Sequence, residues 1–276
     1  MEQDRRYELL SVISQFARAD APIARRRKSS PPPNGIVLYQ GPSMIDGAPI
    51  VCIATGIAKS STNGKTGALI QTWIMRADVS PRVAVDTGAD SSVCGDCALR
   101  GVVVDGKNVK RRCYVRLHHA PRNIWSTWKR GIYPAAWDEA TFAGRAVRMG
   151  AYGDPAAVPY HVWQRVLAGA AFHTGYTHQW ARFPEFAAWV MASCDSAADR
   201  VRAKFLGFRT FRVRAESEQR EQGEVVCPAS KEAGVKTNCF ACHACGGHAS
   251  KARADIVIAD HGPQRHAVNR AARLAA

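Results

Sequence analysis

The chain holds no run of about 18 apolar residues, so the sequence offers no membrane-crossing helix. Its first segment, MEQDRRYELLSVISQFARAD, lacks the apolar stretch and small-residue cleavage site of an export signal. That places the expected location in a reducing cytoplasm, where thiols stay free of disulfides. Acids are scarce as well: 23 Asp and Glu stand against 38 Lys and Arg, for a formal charge of +15. Such an excess suits a polyanionic partner, a nucleic acid or a nucleotide, because bound phosphate releases counterions. An arginine-rich surface of no special purpose would give the same count. A nucleotide-cradling P-loop is also missing. NGKTG (63–67) has no glycine five positions ahead of Gly64, so the G-x4-G-K-[ST] spacing fails. The stretch GIAKSSTNGKTG (56–67) is left as a basic loop able to touch an anion.

What the chain does have is cysteine in groups. Seven of its nine cysteines fall in two sets. Cys239, Cys242 and Cys245 stand at every third position, with Cys227 a short way upstream. Three thiols so spaced meet at one point in a tight turn, and a fourth closes the set. The triple spacing favours a [4Fe–4S] cluster, whereas zinc modules place two ligand pairs about 12–20 residues apart. His243 and His248 keep zinc open as the alternative metal. The first set is a CxxC, Cys94 and Cys97, with Cys113 sixteen positions beyond Cys97. Three thiolates suit a cluster with one iron left open. Zinc completed by His118 or His119 is the other choice. Cys52 and Cys194 stand singly in apolar runs and read as core residues.

At 276 residues with 46% hydrophobic content the chain can bury one large core or two modest ones. Residues 1–20 suit an amphipathic helix, and RRRKSSPPPNG (25–35) then breaks regular structure. We expect a basic, proline-rich arm over 1–35 and a part holding the first cysteines over 36–145. A β/α core over 146–223, a cysteine-rich subdomain over 224–262 and a basic tail over 263–276 follow. Strands are expected at 36–41 and 50–56, and the apolar run 66–75 is ambiguous in type. A hairpin over 101–117 turns at Asp105-Gly106, its return strand carrying Cys113. NIWSTWKRGIY (123–133) is aromatic and basic, and Trp125 and Trp128 would stack on bases in a nucleic-acid-binding protein.

From residue 146 strands and helices alternate. Strands are expected from 146, at 172–180, 191–196 and 208–213, and at 224–230 leading to Cys227. Helices are expected at 158–170 and 196–207, the second capped by Ser196 and ended by Gly207, with a short helix or turn at 184–190. This alternation predicts an α/β fold, an open parallel sheet or partial (β/α) barrel, with a cysteine-rich C-terminal metal-binding subdomain. In such folds functional groups gather at the C-terminal strand ends. Asp154, His178, Gln179 and Asp195 fall there, with Tyr176 close by. Tyr176, His178 and Asp154 are therefore the candidate catalytic residues, Asp154 serving equally well as a helix cap.

These blocks resemble a phage-associated family of cysteine-rich proteins, from about Gly41 to Gly262. The likeness rests on GPSMIDGAPIVCIATG, KTGALIQTWIM, CGDCALRG…CYV, RMGAYGDPAAVP, TGYTHQW and CPASKEAG with its C-x2-C-x2-C. It implies a bacterial host cell as the place of action. More remotely the layout is similar to radical-SAM enzymes, in which a three-cysteine cluster binds S-adenosylmethionine within an open barrel and an auxiliary cluster often follows. That similarity implies a reactive cluster on Cys94, Cys97 and Cys113 and an auxiliary one on Cys227, Cys239, Cys242 and Cys245. It implies cofactor contacts from Gly150, Gly153, Asp154 and Gln179. The chain departs from the usual CxxxCxxC with its own CxxC-x15-C. The function expected is an iron–sulfur enzyme acting on a nucleotide, nucleic acid or other anionic substrate. The alternative is a non-catalytic nucleic-acid-binding protein with structural metal sites.

Overall fold

In a computed structural model of the chain the described residues are 31–260. The expected N-terminal helix, most of the 1–35 arm and the 263–276 tail lie outside them. Strands β1 (Gly35–Pro42), β2 (Pro49–Thr55) and β3 (Ile70–Arg76) form an antiparallel meander. Two short helices follow, α1 (Pro81–Thr87) and α2 (Ser91–Cys94). A separate two-stranded hairpin of β4 (Val102–Val104) and β5 (Lys107–Val109) leads on to α3 (Ala120–Lys129). Strand and helix then alternate: β6 (Ala146–Tyr152), α4 (Tyr160–Leu167), β7 (Phe172–Thr177), β8 (Met191–Cys194), α5 (Ala197–Phe205) and β9 (Thr210–Arg214). Last come β10 (Glu224–Val226), α6 (Cys239–Cys242) and β11 (Asp255–Ala259).

Nine of these strands join in one sheet, ordered β1-β2-β3-β6-β7-β8-β9-β11-β10. Every pairing from β3 to β10 is parallel, so the expected mixed α/β fold with a mostly parallel sheet is present. From β3 through β9 each parallel strand lies beside the next one to join the sheet. The crossovers from β6 to β9 put their helices on one face. Accordingly Val162, Trp163 and Val166 of α4 and Ala203 of α5 share one core with Cys52, Val147, Met149 and Cys194 of the strands. Cys52 and Cys194 are packing residues, as their apolar settings suggested. Alternation along β2 sends Val51 and Ile53 to the opposite face, where they meet Val85 of α1 and Ile124 of α3. Farther along that second face Tyr176, Met191, Phe211, Ile256 and Ile258 pack with Cys227 and Cys245.

Local chemistry accounts for the element ends. The Ser196 hydroxyl accepts the Asp199 amide at 3.0 Å and caps α5, and Gly207, at φ +83°, turns the chain away beyond it. The ambiguous 66–75 run becomes a strand from Ile70, because each of its faces meets a core. The hairpin turns at Asp105-Gly106 as expected, but its return strand is Lys107–Val109 and not 111–117. Lys110 takes a left-handed φ of +58° and leaves the ladder. The Arg112 and Cys113 amides then donate to the Leu99 carbonyl at 3.0 and 2.9 Å, which brings Cys113 back toward Cys97.

Strand β11, unforeseen in the sequence, slots between β9 and β10, so the cysteine-rich 224–262 segment shares the main sheet. A buried charge network holds it there. Arg212 of β9 reaches Glu224 of β10 with two hydrogen bonds, of 2.8 and 2.7 Å, and both side chains are fully buried. Asp255 of β11 receives Arg200 at 2.8 Å and Lys204 at 2.9 Å from α5, and accepts the Thr210 amide at 3.0 Å. Burial works against the charged forms of Glu224 and Asp255. The bonds from Arg212 to the one and from Lys204 to the other outweigh it and hold both carboxyls below their usual range.

Candidate functional site

The first thiol set lies where the C-terminal ends of β6, β7 and β8 deliver side chains. Helix α2 ends at Cys94, Gly95 turns at φ +57°, and the Cys97 amide donates back to the Cys94 carbonyl at 3.3 Å. Arg100 fixes this loop by donating to the Asp90 carboxylate at 2.7 Å, the Gly88 carbonyl at 2.9 Å and the Gly95 carbonyl at 3.0 Å. From β7, the Gln179 side-chain amide donates to Asp96 inside the CGDC turn. A β-carbon on Gly95 would overlap that amide, so glycine is required there for close approach as well as for its φ.

The three sulfurs act on one another. Burial raises the Cys94 thiol well above its ordinary pKa, and the charges of Cys97, Asp90 and Cys113 add to it. Burial also raises Cys113, opposed by Arg111 and reinforced by Cys97 and Asp90. His178 completes the group. Burial would lower its pKa, but Asp195 and the Cys97 thiol favour the imidazolium and carry it well above the usual value. Its Nε2 forms an ion pair with the Asp195 carboxylate at 3.5 Å, longer than a normal hydrogen bond. A buried imidazolium between a thiol and a carboxylate can hold or pass a proton at the edge of the site.

Asp154 serves this group through its backbone neighbours. One carboxyl oxygen accepts the Ala156 amide at 3.0 Å as a cap, and the other accepts the His178 amide at 2.7 Å. Its own amide donates to the Val93 carbonyl at 2.6 Å, which ties the end of β6 to the cysteine helix. Burial raises its pKa against the Ala156 and Thr177 hydrogen bonds. Gly150 and Gly153 have backbone reasons to be glycine. A β-carbon on Gly150 would sit 2.5 Å from the Gly153 carbonyl oxygen, and one on Gly153 would sit 2.6 Å from that of Ile74. Both also have positive φ.

The second thiol set assembles from β10 and the connection to β11. The Cys227 amide donates to Val257 at 2.8 Å, directly beyond β10. The Asn238 side chain caps α6 at the Ala241 amide, 3.0 Å away, so that Cys239 and Cys242 open and close a single turn. The Cys239 and Phe240 amides donate to Lys65 and Thr66, so the basic 56–67 loop braces this turn. Gly175 of β7 donates to the Cys245 carbonyl at 3.0 Å. Burial pushes the Cys245 thiol up to about 12, with the charges of Cys227, Cys239 and Cys242 adding to it against the Tyr176 hydrogen bond. Burial raises Cys227 and Cys239 as well, while Lys65 lowers both and Arg148 lowers Cys239.

Tyr176 and His178, neighbours at one strand end in the sequence, therefore part company. Tyr176 faces the second set and hydrogen-bonds Cys245, and its hydroxyl is held well above its normal pKa by burial and by Cys245 and Cys239. His178, Asp154 and Gln179 belong to the first set. His243 stacks on Phe172 and meets the Phe240 carbonyl, and His248 meets the Gly207 carbonyl. His119 lines a separate cavity on the second face. Trp125 donates to the Arg76 carbonyl at 2.9 Å and meets Trp128 edge-on, with Lys129 over both rings. Both rings are half-buried, and Trp128 and Lys129 line a surface pocket. Sequence reading passed over Asp90, Asp96 and Arg100. Only the placement of Asp96 between Cys94 and Cys97 marked any of them.

A single tetrahedral ion would require sulfurs about 4 Å apart, from metal–sulfur bonds of about 2.3 Å. Among the described residues no three His, Cys, Asp or Glu side chains are gathered so as to hold an ion. The same residues include no helix long and apolar enough to cross a membrane. No protein-family model, curated protein or solved structure matches this chain, so its two thiol sets must be interpreted from their own surroundings.

Proposed function

We propose that the protein is an iron–sulfur metalloenzyme acting on a nucleotide or other anionic substrate. Cys94, Cys97 and Cys113 would hold the reactive cluster. Cys227, Cys239, Cys242 and Cys245 would hold a closed one in a metal-binding C-terminal segment. The observation that carries this reading is the pairing of thiols by charge. Within each set the sulfurs perturb one another, and the set with three thiols stands beside His178, which Asp195 and Cys97 favour as the imidazolium. The triple spacing of Cys239, Cys242 and Cys245 favours a cluster over zinc.

A cluster on three thiolates supplies an iron without a protein sulfur, available to substrate or to S-adenosylmethionine. The chain's own groups do the remaining work. Arg100, Gln179 and Asp154 fix the CGDC loop against the strand ends. His178, backed by Asp195, can hold a proton at the edge of the site. Tyr176 supports Cys245 and has no part in the reactive group. The run of successive parallel strands from β3 to β9 is the strand order of an open (β/α) barrel, in keeping with the remote similarity to radical-SAM enzymes.

Anaerobic purification followed by iron, sulfide and zinc analysis tests this directly. Iron and acid-labile sulfide should be present, and Cys94→Ala and Cys242→Ala should each remove a separate fraction of the iron. A colourless protein with stoichiometric zinc that refuses reconstitution would sink the proposal. Loss of all iron from either single change would refute the two-site arrangement.

A further inference from the structure

The second face of the sheet carries a cavity of about 710 Å3, lined by a mixture of strand, loop and helix residues. That volume lies in the range of about 300–1,000 Å3 usual for small-molecule sites. Its ionisable lining is one-sided: Lys59, Arg116, His119 and Arg148 with two tyrosines, and no carboxylate. Among the described residues neither Arg116 nor Arg148 forms an ion pair with an acid. Two unneutralised guanidiniums in one concavity favour a dianion, which guanidinium binds through paired N–H groups.

A second, independent feature points the same way. The N-terminus of α3, a helix of ten residues, opens on this cavity through His119, Ala120 and Pro121. That helix has no side-chain cap and no acid in its first turn. Pro121 has no N–H, and the Arg122 and Asn123 amides donate to the Leu117 and His119 carbonyls, so this end offers the Ala120 amide and the partial positive charge of the helix dipole. The remaining wall is aromatic. Trp73 has its ring nitrogen satisfied by Thr55 at 2.8 Å, which leaves the ring to serve as an apolar surface, and Tyr133 also lines the space. The rim is the hydroxyl-rich loop Ser60–Asn63, the basic segment that failed the P-loop spacing.

We infer that this cavity binds a nucleoside monophosphate, with the phosphate held by Arg116, Arg148 and the α3 N-terminus and the base against the aromatic wall. The cavity is close to both thiol sets. Arg148 also acts on Cys239, and Tyr114 of its lining directly follows Cys113. That the nucleotide is a substrate rests on the iron–sulfur reading above, whereas the binding itself does not.

Equilibrium dialysis of the full chain against the four nucleoside 5′-monophosphates, the matching nucleosides and inorganic phosphate provides the test. At least one nucleotide should bind saturably, one per chain, about tenfold or more tighter than its nucleoside or phosphate alone. Arg148→Gln should weaken it about tenfold or more, and so should Arg116→Gln, whose exposed side chain has no packing role to confuse the result. Absence of saturable binding up to about 1 mM would overturn the inference, as would equal binding of phosphate or nucleoside, or wild-type affinity in both variants. Iron analysis on the same preparations separates the two ideas. Nucleotide binding without iron sinks the metal reading and leaves the cavity assignment, and iron without nucleotide binding does the reverse.

Discussion

Glutamine in place of Glu224 keeps the side chain's shape and removes the charge at the centre of the β9–β11–β10 network. Arg212, fully buried, loses one of its two short bonds to that carboxylate and keeps the other at reduced strength. Removing one partner of a buried ion pair costs about 3–5 kcal/mol. Arg212 still reaches Glu218, and the glutamine oxygen still accepts, which brings the expected loss to about 2–3 kcal/mol. With a urea slope of about 3 kcal/mol/M, the unfolding midpoint should fall by about 0.7–1 M at unchanged slope. Glu218→Gln is the control, since its carboxylate is 42% exposed and should be worth about 1 kcal/mol or less. Because β10 and β11 flank the second thiol set, Glu224→Gln should also speed maleimide labelling of Cys227 and Cys245 and leave Cys94 and Cys113 unchanged. A midpoint shift below about 0.2 M, or equal shifts in the two variants, would refute the assignment of Glu224 as the charge that clamps this edge.

Acid should act on the same network. Glu224 and Asp255 are held below their usual range, so their contribution is complete above about pH 4–5 and is lost as pH falls through the lowered folded values. Urea midpoints measured between pH 7 and 2 should show the wild type losing more stability on acidification than Glu224→Gln. Gly95→Ala forces a β-carbon into the Gln179 amide at a positive φ, a strain of about 1–3 kcal/mol. It should deplete iron from the first set about tenfold in affinity while the second keeps its share, as elemental analysis would reveal. Ser196→Ala removes the α5 cap and should cost about 1 kcal/mol in a urea titration, with no effect on metal content. Tyr176→Phe deletes the hydrogen bond that lowers the Cys245 pKa, so in the metal-free protein Cys245 should alkylate more slowly at pH 9, at a stability cost of about 0.5–1.5 kcal/mol.

Periodicity made the second half of the fold legible. VPYHVWQRVL and SAADRVRAKF have amphipathic spacing, and the short β-branched runs between them read as strands. The hairpin's return strand was misread because a left-handed lysine, which no local pattern announces, ends the ladder at Lys110. DIVIA was overlooked because it lies beyond the cysteines and is stabilised by partners far off in sequence, Arg200, Lys204 and Thr210. The site followed the same rule. Cysteine spacing exposed both thiol sets, since ligands close in sequence leave a local mark. Tyr176 and His178, two apart, would share a face of a continuous strand; they part because β7 ends at Thr177 and the His178 amide turns to the Asp154 carboxylate, a partner far off in sequence. The cluster of Lys59, Arg116 and Arg148 has no sequence signature, because β6, the loop after β2 and the approach to α3 meet only in the folded chain.

The position of β11 has a consequence for the order in which the protein can be made. Among the described residues β10 pairs with β11 alone, and the Cys227 amide is held by Val257. A growing chain therefore exposes Cys227, Cys239, Cys242 and Cys245 to the cell before the strand that positions Cys227 has left the ribosome. The first thiol set depends on residues up to Asp195 and is complete much earlier. On the iron–sulfur proposal, loading of the two sets should be separated in time, the first during synthesis and the second only after β11 has inserted between strands already made.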